Sequence, residues 1–298
     1  MNDIQPKGVR PPAVAGWFYP SDPDELRSMI GSLLANAPSV AGPAPKALIV
    51  PHAGYQFSGP VAASAYALLA PARDTIERVV LLGPSHRAAF DGLAAVSASA
   101  FATPLGLVPV DAEAGRQLAS LAQVVVHDQA HAREHALEVQ LPFLQTLLSG
   151  FALVPLLAGQ ADTQAISQVL EALWGGAETC IVISSDLSHY CTPAIARQLD
   201  SATARAIEAL APEDIREEGA CGRRPICGLL QAARRRGLRA RTVDLRNSGD
   251  TGGPRDRRAT WAFPRRVKCG APRRRIRPLQ RKHAKTFTQK RGCCDQRF

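Results

Sequence analysis

The sequence predicts an α/β fold: a mainly parallel central sheet with helices on both faces. Two observations lead there. Short, continuous apolar runs rich in β-branched residues recur along residues 1–254, as strands buried on both faces require. Segments with helical periodicity lie between them, and that alternation is how parallel strands are joined through crossover helices.

The elements follow in chain order. "SDPDELRSMIGSLL" reads as a helix with Ser21 as N-cap and Asp24 three residues on. "KALIVPH" is a strand that ends at His52, and "GPVAASAYALLA" is the helix after it. "ERVVLLGPSH" is a strand that ends at His86. "DAEAGRQLASLA" and "HALEVQLPFLQTLL" are helical, "FALVPLLAG" is a strand and "DTQAISQVLEALW" a helix. "TCIVISSD" is a strand that ends at Asp186, with His189 three residues further. After "ARTVDL", the polar segment "LRNSGDTGG" (245–253) lacks a phosphate-loop lysine and opens onto no helix, so a tight turn beside the site is the better reading.

The totals set bounds. At 298 residues and 46% hydrophobic, the chain can bury a large core and is not disordered throughout. No apolar run approaches membrane-spanning length, so no membrane association is expected. "MNDIQPKGVRPP" has neither the basic nor the apolar region of a signal peptide, and a cytoplasmic location is expected. Seven cysteines at irregular spacings argue against a disulfide framework. Charge is unevenly placed: residues 255–298 hold 16 Lys or Arg against 2 Asp or Glu, and residues 1–254 hold 20 against 24. A mildly acidic body therefore precedes a strongly basic tail.

In open α/β sheets, ligands bind beyond the carboxyl ends of the strands. Three strands that end in His52, His86 and the Asp186–His189 pair would bring four titratable groups to one edge, which makes that edge the candidate site. Neutral imidazoles are common transition-metal ligands. Two histidines with a carboxylate suit non-haem Fe(II), and two with a thiolate suit a softer or redox-active metal. Asp186 and His189 could instead supply an anion and a general base without metal, and Asp186 could cap the following helix.

Two further stretches carry candidates. His131, Glu134 and His135 have the H-x-x-E-H spacing of inverted zinc peptidases, but no distant acidic ligand is marked. The alternative makes Asp128 and His131 loop residues and Glu134 a first-turn helix residue. Cys221 opens a helix-like run beside Arg223 and Arg224, where a depressed thiol pKa is expected; a buried, inert cysteine is the alternative, and Cys227 fits it better.

Taken together, "AGWFYP", "PHAGYQFSGPVAASAYALL", "LLGPSH", "ATPLG", "EHALEVQLPFLQ", "ISSDLSHY", "CGRRPICGLL" and "NSGDT" resemble, in order, the pattern of the Memo family over roughly residues 9–253. In prokaryotes this family is also called AmmeMemoRadiSam system protein B. The resemblance implies a fold similar to class III extradiol dioxygenases of the LigB type. It implies His52, His86 and Cys221 as metal ligands, holding Fe(II) or Cu, and Asp186 and His189 as catalytic pocket residues. Where the dioxygenases use a carboxylate ligand, this pattern has a cysteine, so dioxygenase activity does not follow from the fold. Trp17, Phe18 and Tyr55 are expected at the substrate-binding mouth, with core packing as their alternative. Expected partners are a radical SAM protein, an AMMECR1-like protein, and a small-molecule or peptide ligand.

After "NSGDTGG" the pattern should continue into a last apolar strand. The basic stretch shows no hydrophobic periodicity, so a boundary is expected at 254, followed by an irregular tail. The tail is read either as a nucleic-acid-binding segment or as the product of a frameshift, with the frameshift favoured. The function expected is a metal-dependent redox enzyme of unknown substrate. The alternative is a non-catalytic module that binds a peptide or small anion in the same pocket.

Overall fold

The computed structural model describes residues 8–38, 42–247 and 257–263. Along the chain these form β1 (Val9–Arg10), α1 (Pro23–Ala35), β2 (Ala47–Val50), α2 (Tyr55–Tyr66), β3 (Arg78–Pro84), β4 (Leu93–Ala95), β5 (Ala100–Thr103), β6 (Gly106–Pro109) and α3 (Ala112–Leu118). Then come β7 (Val124–Val126), α4 (Asp128–Ala132), α5 (Leu141–Leu147), β8 (Ala152–Ala158), α6 (Thr163–Ala172) and β9 (Thr179–Ser184). The last are α7 (Pro193–Glu208), α8 (Arg223–Arg235), β10 (Arg241–Asn247) and β11 (Arg257–Phe263).

The main sheet has eight strands in the order β10-β11-β2-β9-β3-β8-β4-β7, and β1, β5 and β6 form a small second sheet. Its centre, β2-β9-β3-β8, is parallel throughout. Antiparallel pairings flank it: β4 runs against β8, and β11 against both β2 and β10.

The apolar runs are continuous because each central strand is buried on both faces. In β2, Ala47 and Ile49 face one core with α6 and α8, while Leu48 and Val50 face a second with α1, α2 and α5. β3 divides the same way, with Val80 and Leu82 on the first side and Val79 and Leu81 on the second. A period-2 backbone with apolar residues at every position can only be satisfied by helices on both faces.

Four expectations are corrected. The cap of α1 is Asp22, not Ser21: its carboxylate accepts from the backbone N–H groups of Asp24 and Glu25. Proline at the first helical position shifts the start by one residue, because its fixed φ suits that place. The stretch 135–148 is not one helix. His135–Leu137 is irregular, residues 138–140 form a 3-10 turn, and α5 starts only at Leu141. Asp186 does not cap a helix, since α7 begins at Pro193. Residues 257–263, expected within an irregular tail, form β11, which places Trp261 opposite Ile49 and Thr242 in the backbone ladder. The open edge of β2 supplies the pairing that no side-chain periodicity signalled. The "NSGDTGG" turn beyond Asn247 and residues 264–298 lie outside the described residues. Among the described residues, no helix is long and apolar enough to cross a membrane.

Candidate metal centre

β9 lies between β2 and β3, and all three strands run the same way. Their carboxyl ends therefore converge: His52 follows β2 by two residues, His86 follows β3 by two, and Ser185–Asp186 follow β9 directly. A third histidine, His135, arrives from the irregular segment after α4. One ligand atom each from His52, His86 and His135 lie within 4.8 Å of one another. The rings of His86 and His135 stack at 4.8 Å, and His52 meets both edge-on at 5.2 and 5.4 Å.

Hydrogen bonds set which nitrogen of His52 is available. The Ser184 hydroxyl donates its one proton to the Ala136 carbonyl (2.6 Å) and accepts from the Gln140 amide (2.8 Å). Towards His52 Nδ1, 2.9 Å away, Ser184 can then only accept. The proton sits on Nδ1, and Nε2 keeps its lone pair. Cys221 Sγ lies 3.3 Å from that Nε2, so the thiol is the donor of the pair. The backbone N–H of His52 is held by Asp186 Oδ1 at 2.9 Å.

Cys221 lies two residues before α8, with Gly222 between. A Cβ on Gly222 would stand 2.6 Å from Ser185 Cβ and 3.0 Å from the Ser184 carbonyl, so only glycine lets the chain approach β9 this closely. The Asp186 N–H donates to Sγ at 3.3 Å.

Burial pushes His52 down to about 3, only partly offset by the Asp186 carboxylate, and it also lowers His135. Both imidazoles are neutral, as metal ligands must be. Burial works against a charge on Glu134, yet the His86 ring and backbone N–H and the Ala136 N–H outweigh it and hold its carboxyl at about 2. The expected depression of the Cys221 pKa is corrected. Burial, then the Asp186 carboxylate, push the thiol up to about 12. The two arginines do not reach it: Arg223 bonds the Ile215 carbonyl and pairs with Glu217, and Arg224 bonds Ala161 and Gln160.

The remaining candidates are placed as follows. His189 Nε2 is 3.8 Å from Asp186 Oδ2, close enough for charge interaction but beyond a direct hydrogen bond. The Phe18 ring packs on His135 at 4.9 Å. Tyr55 is a core residue whose hydroxyl is spent on the Val139 carbonyl at 2.6 Å. Trp17 is 89% exposed. His131 is buried and directed away from the cluster, with Nε2 on the Ala94 carbonyl at 3.0 Å. The H-x-x-E-H stretch therefore does not put both histidines on one metal, because the helix that would align them ends at Ala132. The sequence offered His135 only as one half of the H-x-x-E-H pair with His131, and its place beside His52 and His86 was not foreseen. Its signal was the "EHALEVQLPFLQ" motif, noted only as part of a pattern.

The donor set fits a transition metal. It offers three clustered imidazoles, at least one with its free nitrogen fixed by its partners, beside a half-buried thiol, the mixture that suits iron or copper. The fold and this set define an α/β protein with a cluster of three histidines at the carboxyl edge of a parallel sheet. The Memo-like protein family model matches residues 10–263, and the chain belongs to that family. It is 42% identical over 197 residues to the MEMO1 family protein MK0963 of Methanopyrus kandleri, covering 61% of this chain and 69% of that one. To the MEMO1 family protein of Aquifex aeolicus it is 34% identical over 256 residues, covering 82% and 94%. To that of Aeropyrum pernix it is 36% identical over 270 residues, covering 82% and 95%. The crystal structure of uncharacterized protein JW3007 from Escherichia coli K12 is similar with a TM-score of 0.47 and 14% identity, covering 72% of this chain and 98% of that one.

Proposed function

We propose that the protein is a metal-dependent redox protein whose centre is built on His52, His86 and Cys221, with His135 as an additional imidazole donor. The convergence of three imidazoles within 4.8 Å, with the Cys221 thiol on His52 Nε2, carries this reading. When bound, iron or copper would supply one-electron chemistry at this edge. The chain's own part is to hold the donors and manage protons. Cys221 keeps its proton on Sγ against His52 Nε2, and with His52 and His86 it would hold a metal as the thiolate. Asp186 fixes the His52 backbone through Oδ1 and keeps Oδ2 towards His189. His189, partly exposed, is the group that exchanges protons with a substrate. Phe18 shields the His135 ring from water. A radical SAM protein and an AMMECR1-like protein are the partners this family reading suggests.

The test is metal content and affinity under anaerobic conditions for wild type, Cys221→Ser and His86→Ala. Near-stoichiometric iron or copper that falls in both variants is expected. No uptake above background by folded wild type overturns the reading and favours a pocket that binds a peptide or small anion without turnover.

A further inference from the structure

Glu134 is a buried carboxylate that touches two of the three clustered histidines. Its side chain is 1% exposed. Oε1 lies 2.9 Å from His86 Nδ1, 3.2 Å from His135 Nδ1 and 2.9 Å from the Ala136 N–H, and Oε2 accepts the His86 N–H at 2.6 Å. One carboxylate thus grips both the ring and the backbone of His86 and lies within ion-pair distance of the ring stacked on it.

The backbone that carries Glu134 is itself fixed from behind. Arg10, at the end of β1, donates to the Glu134 carbonyl at 2.6 Å and the His131 carbonyl at 3.1 Å, and pairs with Glu138. Glu138, fully buried, also accepts from Ala13 N (2.7 Å), Val14 N (2.9 Å) and the Tyr19 hydroxyl (2.6 Å). This irregular segment has few ladder bonds to hold it, and the Arg10–Glu138 network replaces them.

We propose that Glu134 is the positioning residue of the centre: it holds the proton of His86 on Nδ1, which leaves His86 Nε2 free for a metal, and sets its charge 3.2 Å from His135 Nδ1. An ionised carboxylate can only accept, so a ring nitrogen bonded to it must carry the proton. The opposite nitrogen is then the one with a lone pair. Ser184 does the same for His52, so two partners from different elements leave two rings, His52 and His86, in one tautomer. A carboxylate behind a ligating histidine also raises ligand basicity, and its loss typically costs about 10- to 100-fold in metal affinity. The metal half of this inference rests on the proposed function; the tautomer half does not.

The experiment reads both. Two-bond 1H–15N correlation spectra of metal-free, 15N-histidine-labelled protein at pH 8 report which ring nitrogen is protonated. Titration with Fe(II) and Cu(I) alone reports affinity. Wild type is expected to show His86 protonated on Nδ1, and Glu134→Gln to show an Nε2-protonated or mixed His86 ring with about a 10- to 100-fold weaker site. A wild-type His86 ring protonated on Nε2 overturns the proposal without any variant, which covers the case of a variant that fails to fold. Unchanged tautomers in folded Glu134→Gln overturn it as well. A tautomer change in protein that binds no metal supports the role of Glu134 and overturns the proposed function instead.

Discussion

His52 and Cys221, separated by 169 positions in the chain, meet at 3.3 Å between Nε2 and Sγ. The contact exists because Gly222 lets the chain before α8 lie against the end of β9. Gly222→Ala should therefore move Cys221 as well as strain the fold. We expect a loss of about 1–3 kcal/mol from overpacking, together with weaker metal uptake, read by denaturant unfolding and metal titration. Uptake at the wild-type level would show that Cys221 is not needed at the site.

The two histidines of the H-x-x-E-H stretch should separate cleanly. His135→Ala should lower metal affinity with a modest effect on stability. His131→Ala should do the opposite, because it abandons the Ala94 carbonyl and opens a buried space, at about 1–3 kcal/mol. Equal losses of metal in both variants would contradict the assignment.

Removing one partner of the buried Arg10–Glu138 pair leaves the other charged and unpaired. Glu138→Ala should cost about 3–5 kcal/mol, measured by chemical denaturation. Tyr19→Phe removes one hydrogen bond to a charged acceptor from the same network and should cost about 1.5–3 kcal/mol.

Asp111 links pH to stability at a place remote from the centre. Burial alone would raise its pKa, but the Ala114 N–H and the Arg78 guanidinium, 2.6 Å away, outweigh it and hold it below the usual carboxylate value. A depressed carboxyl contributes stability above the unfolded-state pKa of about 3.9 and loses it as pH falls through its folded value. Asp111→Asn should therefore be less stable than wild type at neutral pH, with the gap closing in acid below about pH 4. A gap that stays constant down to acid unfolding would exclude the charge as its source.

Two truncations test where the sheet ends. Stopping after Pro254 removes β11, uncovers the edge of β2 and leaves β10 unpaired, so aggregation is expected. Stopping after Phe263 keeps every described strand and should give soluble protein. If only full-length chain binds nucleic acid, the basic stretch is responsible; if the chain ending at Phe263 binds equally well, it is not.

The central sheet was legible because double-sided burial leaves unbroken apolar runs, and His52, His86 and Asp186 were legible because they stand where those runs stop. His135 was not. It belongs to no strand end, and the network that places it joins Arg10 to residues more than a hundred positions away. The Cys221 environment was misjudged for a related reason. The sequence shows Arg223 and Arg224 as neighbours but not that both turn to other partners. β11 escaped notice because a strand that completes a ladder by its backbone needs no apolar alternation of its own.

The order of the strands also acts as a ruler. β2 and β3 are separated by β9, so their axes stand two strand spacings apart, roughly 9–10 Å. Yet the rings of His52 and His86 have centroids 5.2 Å apart. Both must lean inward over the end of β9, and the side chains standing there have to be short. The chain places Ser184 and Ser185 at that point. A bulky residue for Ser184 would push the His52 ring off its hydrogen bond, and one for Ser185 would push away Gly222 and with it Cys221, so the gauge of the cluster is set by two serines.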